Sequence, residues 1–367
     1  MKDVVTSYDQ AFGTRSDVIA IDEPAGEDRV YPAEVIARLV QRDRSSAWRI
    51  ADVVNAHPCD ALNIQHEYGL FGGEEGEWVL DVISRVRKPV ITSLHTVVPD
   101  PSPAHLRVAR ALCASSTGIV VLSETGRELL VHRYGVDPAK VHVIPHGVPD
   151  VPFRETADDK RRLGYAGRTT ISTFGLINRG KGLEYAIEAM QAVVAAHPDA
   201  LYLILGQTHP VVRRHEGESY RRELEAKIAD LGLTHNVVLV DKYLDFDELL
   251  TYLGASDLYL TPYLNPTQIV SGTLAYAVGC GKAVISTPYL YAQELLAHGR
   301  GFIVPFRDAS AIATTLQALL DDPALRESTQ RRAYRFGRQM TWPNVAQAYG
   351  AYFEALLPRR ATLATPA

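Results

Sequence analysis

The chain has 367 residues, 46% hydrophobic and 22% charged, long enough for two α/β domains each with its own core. Its 38 basic and 43 acidic side chains leave a net charge of -5, which argues against a general nucleic-acid binder. Cys59, Cys113 and Cys280 match no metal spacing, no apolar leader follows Lys2 and Asp3, and no apolar run approaches the ~20 residues of a membrane span; a soluble, cytoplasmic protein with reduced thiols is expected.

Val4, Val5, Tyr8, Ala11 and Phe12 recur at helical spacing, so the chain is expected to open with a helix, followed by a buried strand at 18–21. Residues 32–39 and 45–56 read as helices, with Arg38, Arg42, Arg44 and Arg49 on a solvated basic face. A strand at 61–65 runs into His66-Glu67-Tyr68-Gly69-Leu70-Phe71-Gly72-Gly73, a loop that its glycines make pliable. Helix 77–85 and strand 89–94 lead to His95-Thr96, and helix 104–115, strand 118–122, helix 124–134 and strand 141–144 continue the alternation. Pro145-His146-Gly147-Val148 reads as a hinge between domains.

The second half repeats the pattern. A strand at 171–174 is followed by Gly175-Leu176-Ile177-Asn178-Arg179-Gly180-Lys181-Gly182 and a helix to 197. Strand 201–205 ends in Gly206-Gln207-Thr208, a polar segment at 213–218 precedes helix 220–231, and strand 237–240 ends in Asp241-Lys242-Tyr243. After helix 245–253 and strand 258–261, a loop holding Pro262 and Pro266 reaches Ser271-Gly272-Thr273 and a helix that Gly279 and Gly281 close. Strand 283–286, Gln293-Glu294-Leu295, strand 301–304, helices to about 335 and a last helix at 345–357 complete the chain, with a loose tail from 358. Such alternation indicates parallel sheets covered by helices on both faces.

A β-loop-α unit sets its helix N-terminus at the carboxyl edge of the sheet, where first-turn N–H groups lack partners and the dipole is positive. Ser271 can cap that helix, although Leu274 at the third position excludes a reciprocal box, and Gly272 lets a ligand approach the backbone. The unit is therefore a seat for a phosphate or diphosphate, or else an ordinary βαβ turn whose glycines allow tight packing. Lys181 lies between a strand and a helix, the context of a phosphate loop. Asp245-Phe246-Asp247 has the form of a metal-binding Asp-x-Asp, but it precedes a short helix, and helix capping explains it better. No metal set, Ser-His-Asp order or Gly-x-Gly-x-x-Gly fingerprint is present.

Residues 255–286 resemble the donor-binding signature of retaining GT-B glycosyltransferases of family 4, also called group 1: Glu, seven residues, Glu, then Ala-Met-Ala-x-Gly-x-Pro-Val. Ala277-Val278-Gly279-Cys280-Gly281-Lys282-Ala283-Val284 matches its tail, and Gln268 and Tyr276 stand where the two glutamates belong. Residues 175–182 resemble the family's Gly-Arg-Leu-x-x-x-Lys-Gly loop, with Leu176 in the arginine's place and Arg179 as a substitute cation. The resemblance spans 18–357 and implies an α/β protein of two Rossmann-like, doubly wound domains facing a cleft. An acceptor-side domain at 1–148 would precede a nucleotide-sugar domain at 149–338, a crossing helix at 339–357 and the tail 358–367. The family's first strand is missing here, which leaves neighbouring strands unpaired. A late start codon, a rearranged sheet, or a partner such as a second copy covering the edge would each account for it.

The implied reaction moves a hexose from a nucleotide sugar, GDP-mannose or UDP-glucose, to a carbohydrate or glycolipid hydroxyl with retention and no obligatory cofactor or metal. The resemblance puts Gly175, Arg179, Lys181, Ser271, Gly272 and Thr273 on the diphosphate and Tyr276 on the ribose. Gly206, Thr208, Lys242 and Tyr243 would lie by the base and phosphate, and Glu294 near the donor pocket unless it only buttresses its loop. His95 and Gln268 would meet the sugar, with His95 otherwise a satisfied core residue. His66, Tyr68 and Gly69 would bind the acceptor and Glu67 would assist as a base, unless this is a plain glycine-rich turn. A lipid acceptor would bring a peripheral membrane patch. A phosphorylase or epimerase of the same fold, and a non-catalytic sugar-nucleotide or glycan binder, are the alternatives.

Overall fold

Short runs of β-branched and aliphatic residues pair as parallel strands in both halves of the computed structural model, which describes residues 2–23, 30–41 and 43–357. The chain forms two units, one of residues up to His146 together with those from Trp342 onward, the other Gly147–Thr341.

In the first unit, β1 (Val18–Asp22) and β2 (Val35–Val40) make a two-stranded parallel sheet. Residues 35–40 are therefore a strand and not part of a helix. Val35, Ile36, Leu39 and Val40 satisfy a helical period, but Ile36 and Arg38 point to solvent while Leu39 is buried, which is the period of two that pairing with β1 selects. Arg42 and the tail from 358 lie outside the described residues. β3 (Leu62–His66), β4 (Val90–Leu94), β5 (Gly118–Val121) and β6 (Val141–Val143) form a second parallel sheet in that order. Among the described residues no ladder joins β1 to β3, so the strands of this unit fall into two sheets.

Helix Trp342–Leu356 returns to this unit and packs on the four-stranded sheet with Ile91, Val120, Ile144, Val345 and Tyr349. Its buried hydroxyls are paired: Tyr349 Oη lies 3.0 Å from Ser93 Oγ, and Tyr352 Oη accepts from Ile119 N at 3.1 Å and donates to Lys140 O at 2.9 Å.

The second unit carries β7 (Thr169–Phe174), β8 (Ala200–Leu205), β9 (Val237–Val240), β10 (Leu258–Thr261), β11 (Ala283–Ser286) and β12 (Gly301–Ile303). All are parallel, in the order β12-β11-β10-β7-β8-β9. Every residue of β8, β10 and β11 is buried, as a sheet covered on both faces requires. The polar stretch before helix Ser219–Asp230 is itself helical, Pro210–Glu216, with proline at its first position. Successive strands depart from β7 in opposite directions, so the topological switch point lies between β7 and β10.

Candidate functional site

At the switch point of the second unit, β7 gives way to Gly175 at φ +127° and β8 to Gly206 at φ +142°. A Cβ on Gly206 would stand 2.3 Å from Gly175 O, so only glycine lets these two strand ends approach. The loop after β7 is zipped to the one after β8, with Ile177 N donating to Gln207 O at 2.8 Å and His209 N to Ile177 O at 2.9 Å. It then turns at Arg179–Lys181 and sends the Lys181 ammonium back across the edge. That ammonium lies 3.8 Å over the ring of Tyr263, and burial pulls its pKa down to about 8.

Helix Gly272–Gly279 starts beside it. Ser271 Oγ accepts from Leu274 N at 3.3 Å, a one-way cap as its sequence implies. Thr273 Oγ1 is 2.8 Å from Tyr263 Oη and 3.1 Å from Ser271 Oγ. Thr273 Cγ2 and Lys181 Nζ lie 3.3 and 3.6 Å from the point a Cβ on Gly175 would occupy. Gly175, Lys181, Ser271 and Thr273 thus converge on one spot, where an ammonium and a helix N-terminus face the same space. Tyr263, which fixes both the lysine and Thr273, carries no sequence signature for that role.

The other predicted residues of this unit lie around that spot or away from it. Arg179 forks onto Glu223 at 2.7 and 2.5 Å and lies 3.5 Å from Glu216, so the substitute cation is neutralised in an exposed ion-pair network. Gln268 Nε2 donates to Val270 O at 2.9 Å, within its own loop. Tyr276, half-buried on the helix that Ser271 caps, faces the Phe174 ring at 6.4 Å. Gly272 is the first residue of that helix, and Glu294 sits on helix Leu290–Leu295. Buried Thr208 bonds Glu218, Lys242 pairs with Glu248, and Tyr243 is 75% exposed. Asp245 and Glu248 form a reciprocal capping box, in keeping with capping as the reason for Asp-x-Asp.

In the first unit the corresponding groups gather at the carboxyl ends of β3 and β4. His95 Nε2 lies 2.8 Å from Gln65 Oε1, and burial lowers its pKa to about 4, a neutral imidazole at pH 7. Thr96 Oγ1 lies 2.9 Å from both oxygens of Glu67, whose pKa burial raises. His66 is 0% exposed and stacked on Phe71 at 5.3 Å, and burial lowers its pKa to about 4. Both of its ring nitrogens are buried without a hydrogen-bond partner, so in this structure its side chain lies beneath the surface that the sequence reading gave it. Tyr68 packs on His105 with ring centroids 3.9 Å apart, while Gly69 is exposed with open space beside it. Nor is the loop made pliable throughout: a Cβ on Gly72 would lie 2.2 Å from Gln41 O and from the Trp78 ring, so that glycine serves close packing. Among the described residues no group of three or more His, Cys, Asp or Glu is placed to hold a metal, and no helix is long and apolar enough to cross a membrane.

Two family models match, one described as "Glycosyl transferases group 1" over residues 168–322 and one as "Glycosyltransferase Family 4" over residues 10–150. The chain belongs to the group 1, family 4 glycosyltransferases. This glycosyltransferase is 26% identical over 316 residues to the D-inositol 3-phosphate glycosyltransferase of Jonesia denitrificans, covering 80% of this chain and 71% of that protein. The enzyme of the same name from Acidothermus cellulolyticus is 25% identical over 308 residues, 77% of this chain and 67% of its own. Among solved structures, Anabaena HepE in complex with UDP superposes with TM-score 0.72 at 17% identity, over 88% of this chain and 87% of that one. Sucrose-phosphate synthase from Thermosynechococcus elongatus does so with TM-score 0.76 at 17% identity, over 97% and 92%. These likenesses show that the glycosyltransferase has the GT-B α/β fold of two parallel-sheet domains.

Proposed function

We propose that this glycosyltransferase moves a hexose from a nucleotide diphosphate sugar, GDP-mannose or UDP-glucose, to a hydroxyl of a carbohydrate or glycolipid acceptor with retention of configuration. The observation that carries the reading is the convergence of the Lys181 ammonium with Gly175, Ser271 and Thr273 at the switch point. A diphosphate there meets a cation and unpaired helix N–H groups in a half-enclosed place, where both act more strongly than in water. As the bond between the anomeric carbon and the phosphate oxygen breaks, negative charge grows on the diphosphate, and Lys181 offsets it. The acceptor oxygen bonds to the anomeric carbon from the face the diphosphate leaves, and its proton passes to a leaving phosphate oxygen.

Tyr276 is assigned to the ribose, Gln268 and His95 to the sugar, and Tyr68, Gly69 and Glu67 to the acceptor. Glu67, whose pKa burial raises, assists by accepting a hydrogen bond from the acceptor hydroxyl and orienting it, while the proton itself goes to the phosphate. Gln268 and Tyr276 in place of two carboxylates favour a second reading, a sugar-nucleotide binder without turnover. Thermal-shift titration with UDP-glucose and GDP-mannose followed by a donor-hydrolysis assay separates the two. The wild type is expected to be stabilised and to release nucleotide diphosphate, and Lys181→Glu to lose affinity about tenfold or more. Unchanged affinity in Lys181→Glu would overturn the diphosphate seat, and binding without release would establish the second reading.

A further inference from the structure

Arg221, on helix Ser219–Asp230, is only 5% exposed, an expensive place for a cation. Its Nη2 donates to Gly206 O at 2.7 Å and lies 3.0 Å from Asp241 Oδ1, while Nε lies 3.6 Å from Glu218 Oε2 in an ion pair and Nη1 has no hydrogen-bond partner. Gly206 and Asp241 directly follow β8 and β9, so one guanidinium, held also by Glu218 on its own side, ties two neighbouring strand ends. The Asp241 side chain is 56% exposed, so its second oxygen is presented to solvent in an orientation that Arg221 sets.

A nucleoside diphosphate seated on Lys181 and Ser271 can run in two directions along the sheet edge. Toward β11 the edge is filled. The Tyr263 and Tyr289 rings after β10 and β11 are stacked and buried, and the two loops are tied to each other by Leu290 N donating to Pro266 O at 3.2 Å and Tyr291 N to Gln268 O at 3.0 Å. Toward β8 and β9 it is open, with Gln207 and Tyr243 exposed. At about 4.8 Å per strand, the end of β9 lies about 10 Å from that of β7, the reach from a diphosphate to the far edge of its base.

We infer that Asp241, aimed by Arg221, is the carboxylate that reads the donor's base, accepting the imino N–H of a uracil or guanine. Uracil N3 and guanine N1 carry that hydrogen. Adenine N1 and cytosine N3 are bare acceptors that a carboxylate repels. The exposed Tyr243 ring offers the base a face for stacking. Arg221 acts through Asp241 and is a positioning residue. The inference rests on the donor site proposed above and adds to it a rule for the base.

Calorimetric titration of the full chain with UDP, GDP, ADP and CDP tests it. The wild type is expected to bind UDP or GDP about tenfold or more tighter than ADP and CDP. Asp241→Ala should remove that preference and leave ADP and CDP affinity within about twofold. Arg221→Met, which keeps the bulk of the buried stem and removes the donor on Asp241, should weaken the preference with Asp241 still present. Because Asp241 is exposed, its alanine variant tests the inference even where an Arg221 variant fails to fold. Equal wild-type affinity for all four, or a preference that survives Asp241→Ala, would overturn base reading while leaving the diphosphate seat intact. Failure of all four to bind would overturn the seat itself, and base reading with it.

Discussion

Burial holds Lys181 near pH 8, so its charge changes within the range where enzymes are assayed. The charged form attracts a diphosphate, and it is lost as pH rises through 8. Nucleotide affinity is therefore expected to fall between pH 7 and 9. In Lys181→Arg, whose guanidinium keeps its proton, affinity should be lower but flat, and titrations at three pH values check both. Without ligand the linkage has the opposite sign. The unfolded lysine, near 10.5, binds its proton more tightly than the folded one at about 8. Stability thus rises with pH across that window, by roughly 3 kcal/mol in full. Lys181 and Ser271 were legible because each lies between a strand and a helix, a context that sequence displays. Tyr263, Thr96 and Arg221 were not, since each acts on groups far away in the chain that only folding brings near. Nor was the setting of Arg179: a loop motif displays its charge but not Glu223, with which it pairs.

Elements were readable where local chemistry and tertiary pairing agree. Helix Phe246–Ala255 is such a case, because Asp245 accepts from Glu248 N at 2.8 Å and Glu248 Oε2 accepts from Asp245 N at 3.4 Å. Asp245→Ala removes the cap and is expected to destabilise the protein by about 1 kcal/mol. The effect should appear as a lower Tm with nucleotide affinity unchanged within about twofold, with or without chelator. An unchanged Tm together with chelator-sensitive binding would instead point to a metal role for the Asp-x-Asp pair. β2 shows the converse. Its apolar residues fit periods of both two and 3.6, and the tie is broken by pairing with β1, which no window of a few residues contains.

At the scale of the molecule, the two units differ in how completely their sheets are paired. Among the described residues the second has one continuous six-stranded sheet, whereas the first divides its strands between a pair and a set of four. No residue of β1 is fully buried, and a two-stranded sheet is marginal by itself. The doubly wound order of the second unit was implicit in its alternation of strands and helices; the division of the first is a matter of pairing, which alternation leaves open. The first unit also depends on the far end of the chain, because helix Trp342–Leu356 supplies the Tyr352 hydroxyl that serves Ile119 N and Lys140 O. Tyr352→Phe strands the buried Ile119 N–H and frees the partly buried Lys140 carbonyl, at a cost of about 1–3 kcal/mol. Calorimetry is therefore expected to resolve two transitions, the first unit melting lower. Tyr352→Phe should depress only the lower one, while a saturating nucleotide should raise only the upper one, where its seat lies. A single transition moved by both perturbations would overturn the expectation that the units melt separately.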